Sequence, residues 1–122
     1  MKGGKREGKA GYSEAAQVDE IAFAQDRGMG GYVYIVTNRR YGTLYIGVTS
    51  DLVRRISQHR LGVVEGFTKE FVLKRLVWYE IHSEIREAIV REKQLKKWRR
   101  DWKIELIQKM NPRWEDLYPS IL

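Results

Sequence analysis

A chain of 122 residues, 43% hydrophobic and without a cysteine, can build one cored domain but no disulfide and no thiolate metal site. No apolar run approaches the roughly 20 residues that cross a bilayer, and the start lacks a signal-peptide core, so a cytoplasmic chain with no membrane role is expected. Of the 23 basic and 16 acidic side chains, five of each lie in residues 1–30; the net charge of +7 therefore belongs to residues 31–122 and favours a polyanionic partner.

Residues 1–12 are rich in glycine and lysine and are expected to be flexible. Residues 13–25 can form a short helix, with Ser13 as N-cap and Val18, Ile21, Ala22 and Gln25 on one face. Gly28-Met29-Gly30-Gly31 interrupts the pattern and sets a boundary between an N-terminal extension, residues 1–30, and a domain over residues 31–122. Because Met29 stands at that boundary, residues 1–28 are expected to be dispensable. Residues 32–37 (YVYIVT) and 43–48 (TLYIGV) are dense in β-branched and aromatic side chains and read as strands. Their link has hairpin chemistry, with Asn38 and Gly42 as the residues able to take positive φ. A four-residue loop over 38–41 would pair Thr37 with Gly42 and set Tyr34 directly opposite Tyr45 on one face of the sheet.

Thr49-Ser50-Asp51 offers N-caps for a helix that Gly62 ends, with Leu52 and Ile56 toward the core and Arg55 and His59 one turn apart on the next flank. Residues 73–81 read as a third strand. A second helix follows Ser83, with Glu84 and Glu87 at its start and Lys96, Lys97, Arg99 and Arg100 at its end, matching the helix dipole. A third helix covers residues 101–110, and Asn111-Pro112 has the N-cap and N1 pattern of a short terminal turn through Trp114 and Leu117.

Glu92 is the most informative single residue. It falls near the centre of an apolar stripe made by Ile85, Ala88, Ile89 and Leu95. A carboxylate there needs an ion pair, for which an arginine of the first helix would serve, or a bound cation. A single carboxylate without a Asp/Glu/His cluster suits Mg²⁺, which keeps most of its waters. Tyr34 and Tyr45 are ordinary strand residues unless they face basic groups, where a phenol can move protons. Arg55 has the fork geometry that holds a phosphate, and His59 can relay a proton. Gly47 inside a strand implies a close approach by a substrate or a packed helix. Lys69 is a further candidate phosphate contact, His82 sits at a strand end, and the tryptophans read as packing. A phenol, a guanidinium, an imidazole and a potential metal ligand on one basic domain suit phosphodiester cleavage.

These residues resemble the GIY-YIG nuclease superfamily, in its small single-domain bacterial branch. Tyr32-Val33-Tyr34 corresponds to the first signature and Tyr45-Ile46-Gly47 is a literal second one. Arg55, His59, Glu92 and Asn111 follow in the family's order. The first tripeptide departs from Gly-Ile-Tyr but keeps its tyrosine. The resemblance implies an α/β fold, with a small three-stranded antiparallel sheet flanked by helices. It also implies an endonuclease that hydrolyses DNA, ahead of RNA, with one Mg²⁺ or Mn²⁺ on Glu92. Tyr34 would activate the attacking water with help from Tyr45 or His59, and Arg55 would offset developing charge. Gly47, Lys69 and Asn111 would lie on the substrate side. No target-choosing domain accompanies this one, so low sequence specificity is expected, in repair or recombination, with a monomer as default. The alternative is a nucleic-acid-binding module without turnover.

Overall fold

The computed structural model describes residues 14–62 and 73–122. In chain order these form α1 (Glu14–Asp26), β1 (Gly31–Thr37), β2 (Leu44–Thr49), α2 (Leu52–Leu61), β3 (Arg75–His82), α3 (Ile85–Lys97), α4 (Arg100–Met110) and α5 (Tyr118–Ile121). The strands make one antiparallel sheet in the order β2-β1-β3, the α/β architecture expected of the sequence. No helix among the described residues is long and apolar enough to cross a membrane.

β1 is central and covered on both faces, which is why its sequence is a continuous apolar run rather than an alternation. On one face Val33 and Ile35 join Ile46, Val48, Ile85, Ala88 and Leu95 in a core roofed by α3 and α4, with Ala24 of α1 at its margin. On the other, Tyr34 and Val36 meet Leu52 and Ile56 of α2 together with Leu73 and Leu76. An irregularity in the β1–β3 ladder between Ile35 and Val36 lets Val77 and Trp78, neighbours in sequence, both enter the first core.

The hairpin corrects one expectation. Thr37 pairs with Leu44, not Gly42, so the loop spans residues 38–43, and Tyr34 lies opposite Gly47 while Tyr45 lies opposite Val36. A shift of two residues preserves the faces, so the two tyrosines still share one side of the sheet, as diagonal neighbours. Asn38 favours the longer loop by accepting a hydrogen bond from the Thr43 amide at 3.0 Å, while Gly42 N–H donates to Arg39 O at 2.8 Å. The residue with positive φ is Tyr41, at 58°, rather than Asn38 or Gly42. Its hydroxyl donates to Gln108 at 2.9 Å and its ring lies 5.2 Å from that of Trp114, contacts that offset the strained backbone.

α2 begins as its sequence indicates: Asp51 accepts from the Arg54 amide at 3.2 Å, and Gly62 closes the helix at φ 74°. The chain end differs. Asn111 terminates α4 and also opens the expected turn, in which Trp114 N–H donates to Asn111 O at 3.0 Å. That turn does not run on through Leu117, whose N–H donates to Leu76 O, and the last helix starts only at Tyr118. α1 presents Ala24, fully buried, and Ile21 to the core, whereas Ala22 and Gln25 of the expected face are exposed. Of the four tryptophans, Trp78 and Trp114 are buried, but Trp102 is 45% exposed, with the Arg99 guanidinium 4.7 Å from its ring centre. Residues 1–13, Lys69 and the side chain of Val18 lie outside the described residues.

Candidate active site

The N-cap at Asp51 aims α2 along the Tyr34 face of the sheet, so side chains four residues apart, Arg55 and His59, reach the same phenol. Arg55 Nε donates to the Tyr34 hydroxyl at 2.9 Å, and that hydroxyl lies 3.0 Å from His59 Nε2. Arg55 Nη2 donates to the Tyr45 hydroxyl at 3.4 Å. The rings of Tyr34 and Tyr45 stand edge-on to the imidazole, 5.5 Å and 5.0 Å from it, and 6.3 Å from each other. Tyr34, Tyr45, Arg55 and His59, four of the residues singled out in the sequence, are therefore one cluster.

Valence fixes one proton direction within the cluster. A guanidinium only donates, so the Tyr34 oxygen accepts from Arg55, and the direction of its bond with His59 Nε2 is set by the imidazole tautomer. Burial first, and the neighbouring Arg55 charge second, lower the His59 pKa from 6.5 to about 3, which leaves the ring neutral.

Gly47 explains how Tyr34 is held. A Cβ at that position would collide with the Tyr34 ring and hydroxyl, because the ring lies across the strand directly opposite. The close approach expected at Gly47 is thus made by Tyr34 rather than by a helix or a substrate. The tyrosine of the first motif and the glycine of the second form one packing unit.

Glu92 is 8% exposed on the buried stripe of α3 and pairs with Lys96, at 2.6 Å, on its own helix rather than with an arginine of α2. It lines a cleft of ≈520 Å³ between α1 and α3, with Gln17, Val48, Ile89, Lys93 and Lys96 among the walls. Among the described residues no group of three or more His, Cys, Asp or Glu gathers to hold a metal. One carboxylate facing a cleft wide enough for water fits a divalent ion that keeps most of its hydration shell, and Lys96, 55% exposed, has room to move aside. Asn111 stands elsewhere. Its amide nitrogen donates to Val77 O and Glu115 O, at 3.1 and 2.8 Å, and its oxygen accepts from Glu115 N at 3.0 Å, an arrangement that fastens the C-terminal turn to β3.

Two contributors were not apparent from the sequence. Gln17 of α1 accepts from Arg55 Nη2 at 3.2 Å and donates to Val48 O at 3.0 Å. Glu20 accepts from the Thr49 hydroxyl, the Ser50 amide and the Ser50 hydroxyl at 2.8, 2.8 and 2.7 Å. The spacing of Gln17, Ile21 and Ala24 (i, i+4, i+7) was the available signal, since it defines a helix face closed by a polar residue.

Glu92 does not join the cluster: it stands on α3, which covers the other face of the sheet, and its cleft is lined by none of Tyr34, Tyr45, Arg55 and His59. Paired phenols against a buried arginine and histidine point to a phosphodiester-directed catalytic domain. Residues 30–105, more than half of the chain, match the family described as the GIY-YIG catalytic domain, and the chain belongs to this nuclease family. A UPF0213 protein of Staphylococcus saprophyticus is 36% identical over 76 residues, which are 62% of this chain and 92% of the relative. One from Clostridium perfringens is 37% identical over 76 residues, covering 62% of this chain and 81% of its own length. The solution NMR structure of a UPF0213 protein from Bacillus halodurans is 29% identical, covers 72% of this chain and 93% of that one, and superimposes with a TM-score of 0.46.

Proposed function

We propose that this protein is a divalent-metal-dependent endonuclease that hydrolyses phosphodiester bonds in DNA, with residues 31–122 as its catalytic domain. The observation that carries the reading is the chain of hydrogen bonds from Arg55 through Tyr34 to His59. A phenol flanked by a fixed cation and a neutral imidazole is prepared to lose its proton, because the guanidinium stabilises negative charge on the oxygen while Nε2 offers the proton a place.

In this reading the scissile phosphate binds beside Arg55, and its negative charge offsets the guanidinium, which after burial is the second cause of the low proton affinity of His59. The imidazole then takes the Tyr34 proton, and the phenolate oxygen accepts a proton from the attacking water. Arg55 stabilises the additional charge that develops on the phosphate oxygens. Tyr45 supports the same guanidinium. Glu92 would hold one Mg²⁺ or Mn²⁺, which supplies Lewis-acid stabilisation of charge on the phosphate. Low sequence specificity, use in repair or recombination, and action as a monomer complete the proposal.

Nicking of supercoiled plasmid in Mg²⁺, in Mn²⁺ and in EDTA tests it. Cleavage that needs the metal and falls by about 10²-fold or more in Tyr34→Phe, Arg55→Ala and Glu92→Ala is the expected result. Equal plasmid binding by all four proteins with no cleavage by any would leave a binding module.

A further inference from the structure

Arg55 is 2% exposed, Tyr34 0% and His59 3%. A phosphate cannot lie against a guanidinium that is closed off to this degree, so some part of the protein must move before substrate reaches the cluster. α1 supplies a cover at the relevant nitrogen. The Gln17 carboxamide oxygen accepts from Arg55 Nη2, the same kind of bond that a phosphate oxygen would make there. Three residues on, Glu20 fastens its carboxylate to Thr49 and Ser50 at the junction of β2 and α2. An arriving phosphate would meet like charge at that corner.

The attachment of α1 suits release. Among its described side chains, Ile21 and Ala24 make its apolar contact, while Ala22, Phe23, Gln25 and Asp26 are exposed. Its C-terminal end is pinned, since Met29 N–H donates to Ala24 O at 2.9 Å and Met29 O accepts from Ile85 N–H at 2.9 Å. Gly28 lies between them at φ 63°, a conformation that favours glycine. α1 also precedes residues 30–105, which match the shared catalytic domain, so the cover is an addition to that domain. It walls the cleft that holds Glu92 as well, and its departure would join that cleft to Arg55.

We infer that α1 is an autoinhibitory gate, in which Gln17 and Glu20 occupy the place of a substrate phosphate until a nucleic-acid strand displaces the helix. The inference rests on the nuclease reading for what the opened site does. In a gated protein the apparent affinity is the intrinsic affinity multiplied by the open fraction, so a weaker latch means tighter binding.

The full-length chain tests this as wild type, as Gln17→Ala, which alters no charge, as Gln17→Ala/Glu20→Ala, and as Glu20→Cys/Ser50→Cys with and without a short bis-maleimide bridge. The natural chain has no cysteine, so the bridge is specific. Binding of a fluorescein-labelled oligonucleotide is read by anisotropy in EDTA, plasmid cleavage in Mn²⁺, and folding by circular dichroism. The double variant is expected to bind and cut about tenfold better than wild type, and the bridged protein about tenfold worse than its unbridged form. If the double variant does not fold, Gln17→Ala and the bridged pair decide. Equal affinity with and without the bridge overturns the gate, and so does weaker binding by Gln17→Ala. Tighter binding by the open forms with no cleavage by any retains the gate and removes the nuclease reading. Cleavage by wild type that the bridge leaves unchanged does the opposite.

Discussion

The Tyr34 hydroxyl is held between Arg55 Nε, which only donates, and His59 Nε2. Tyr34→Phe keeps the ring over Gly47 but leaves Arg55 Nε and His59 Nε2 buried without that partner, a loss of about 1–3 kcal/mol. Chemical denaturation should show that loss beside the loss of activity; an unchanged midpoint would mean that the two groups find other partners. His59 adds a pH dependence. Its folded pKa of about 3 lies below the unfolded 6.5, so between these values the unfolded chain binds the extra proton. The contribution of His59 to stability is complete above pH 6.5 and declines as the pH falls toward 3. Thermal melts from pH 7.5 to 4 should therefore drop more steeply for wild type than for His59→Gln, and parallel curves would remove His59 as the cause. Glu92→Ala, measured in EDTA, should match or exceed wild-type stability, because a carboxylate that is 8% exposed on an apolar stripe gives way to a methyl group. A clear destabilisation would instead make the pair with Lys96 structural.

At the scale of elements, the β1–β2 hairpin and α2 determine the site together. Gly47 is where they meet, because the ring that lies across it is the one that Arg55 and His59 bond. Gly47→Ala should destabilise by about 1–3 kcal/mol, since the Tyr34 ring is wholly buried and cannot yield to a methyl group. Guanidinium unfolding checks the value, and a neutral result would show that the ring can move. α2 was legible from its caps, Asp51 and Gly62, and from the spacing of Arg55 and His59. The hairpin was legible in kind but not in register. Its loop length depends on the Asn38 side chain bonding the Thr43 amide, a choice that turn propensities leave open. The end of α4 at Met110 was legible, but the extent of the turn after it was not. Asn111 both closes α4 and opens that turn, and its three side-chain bonds to Val77 and Glu115, far apart in the chain, fix where the turn stops.

For the molecule as a whole, the positive excess of residues 31–122 should appear as salt-dependent binding. Oligonucleotide affinity in EDTA is expected to fall by at least about tenfold between 50 and 200 mM salt, because phosphate contacts release counterions. Affinity that stays flat over that range would assign the charge to another purpose. The sequence alone established the strands, the main helices, the cation-rich domain, and the order of Tyr34, Tyr45, Arg55, His59 and Glu92. All of these rest on local spacing, composition and capping, which a linear chain displays directly. The tertiary structure decided that Tyr34 lies over Gly47, that His59 is neutral, that Lys96 pairs with Glu92, and that α1 covers Arg55. Each of those depends on which side chain meets which across the sheet, and contacts between residues far apart in the chain leave no period or spacing to read.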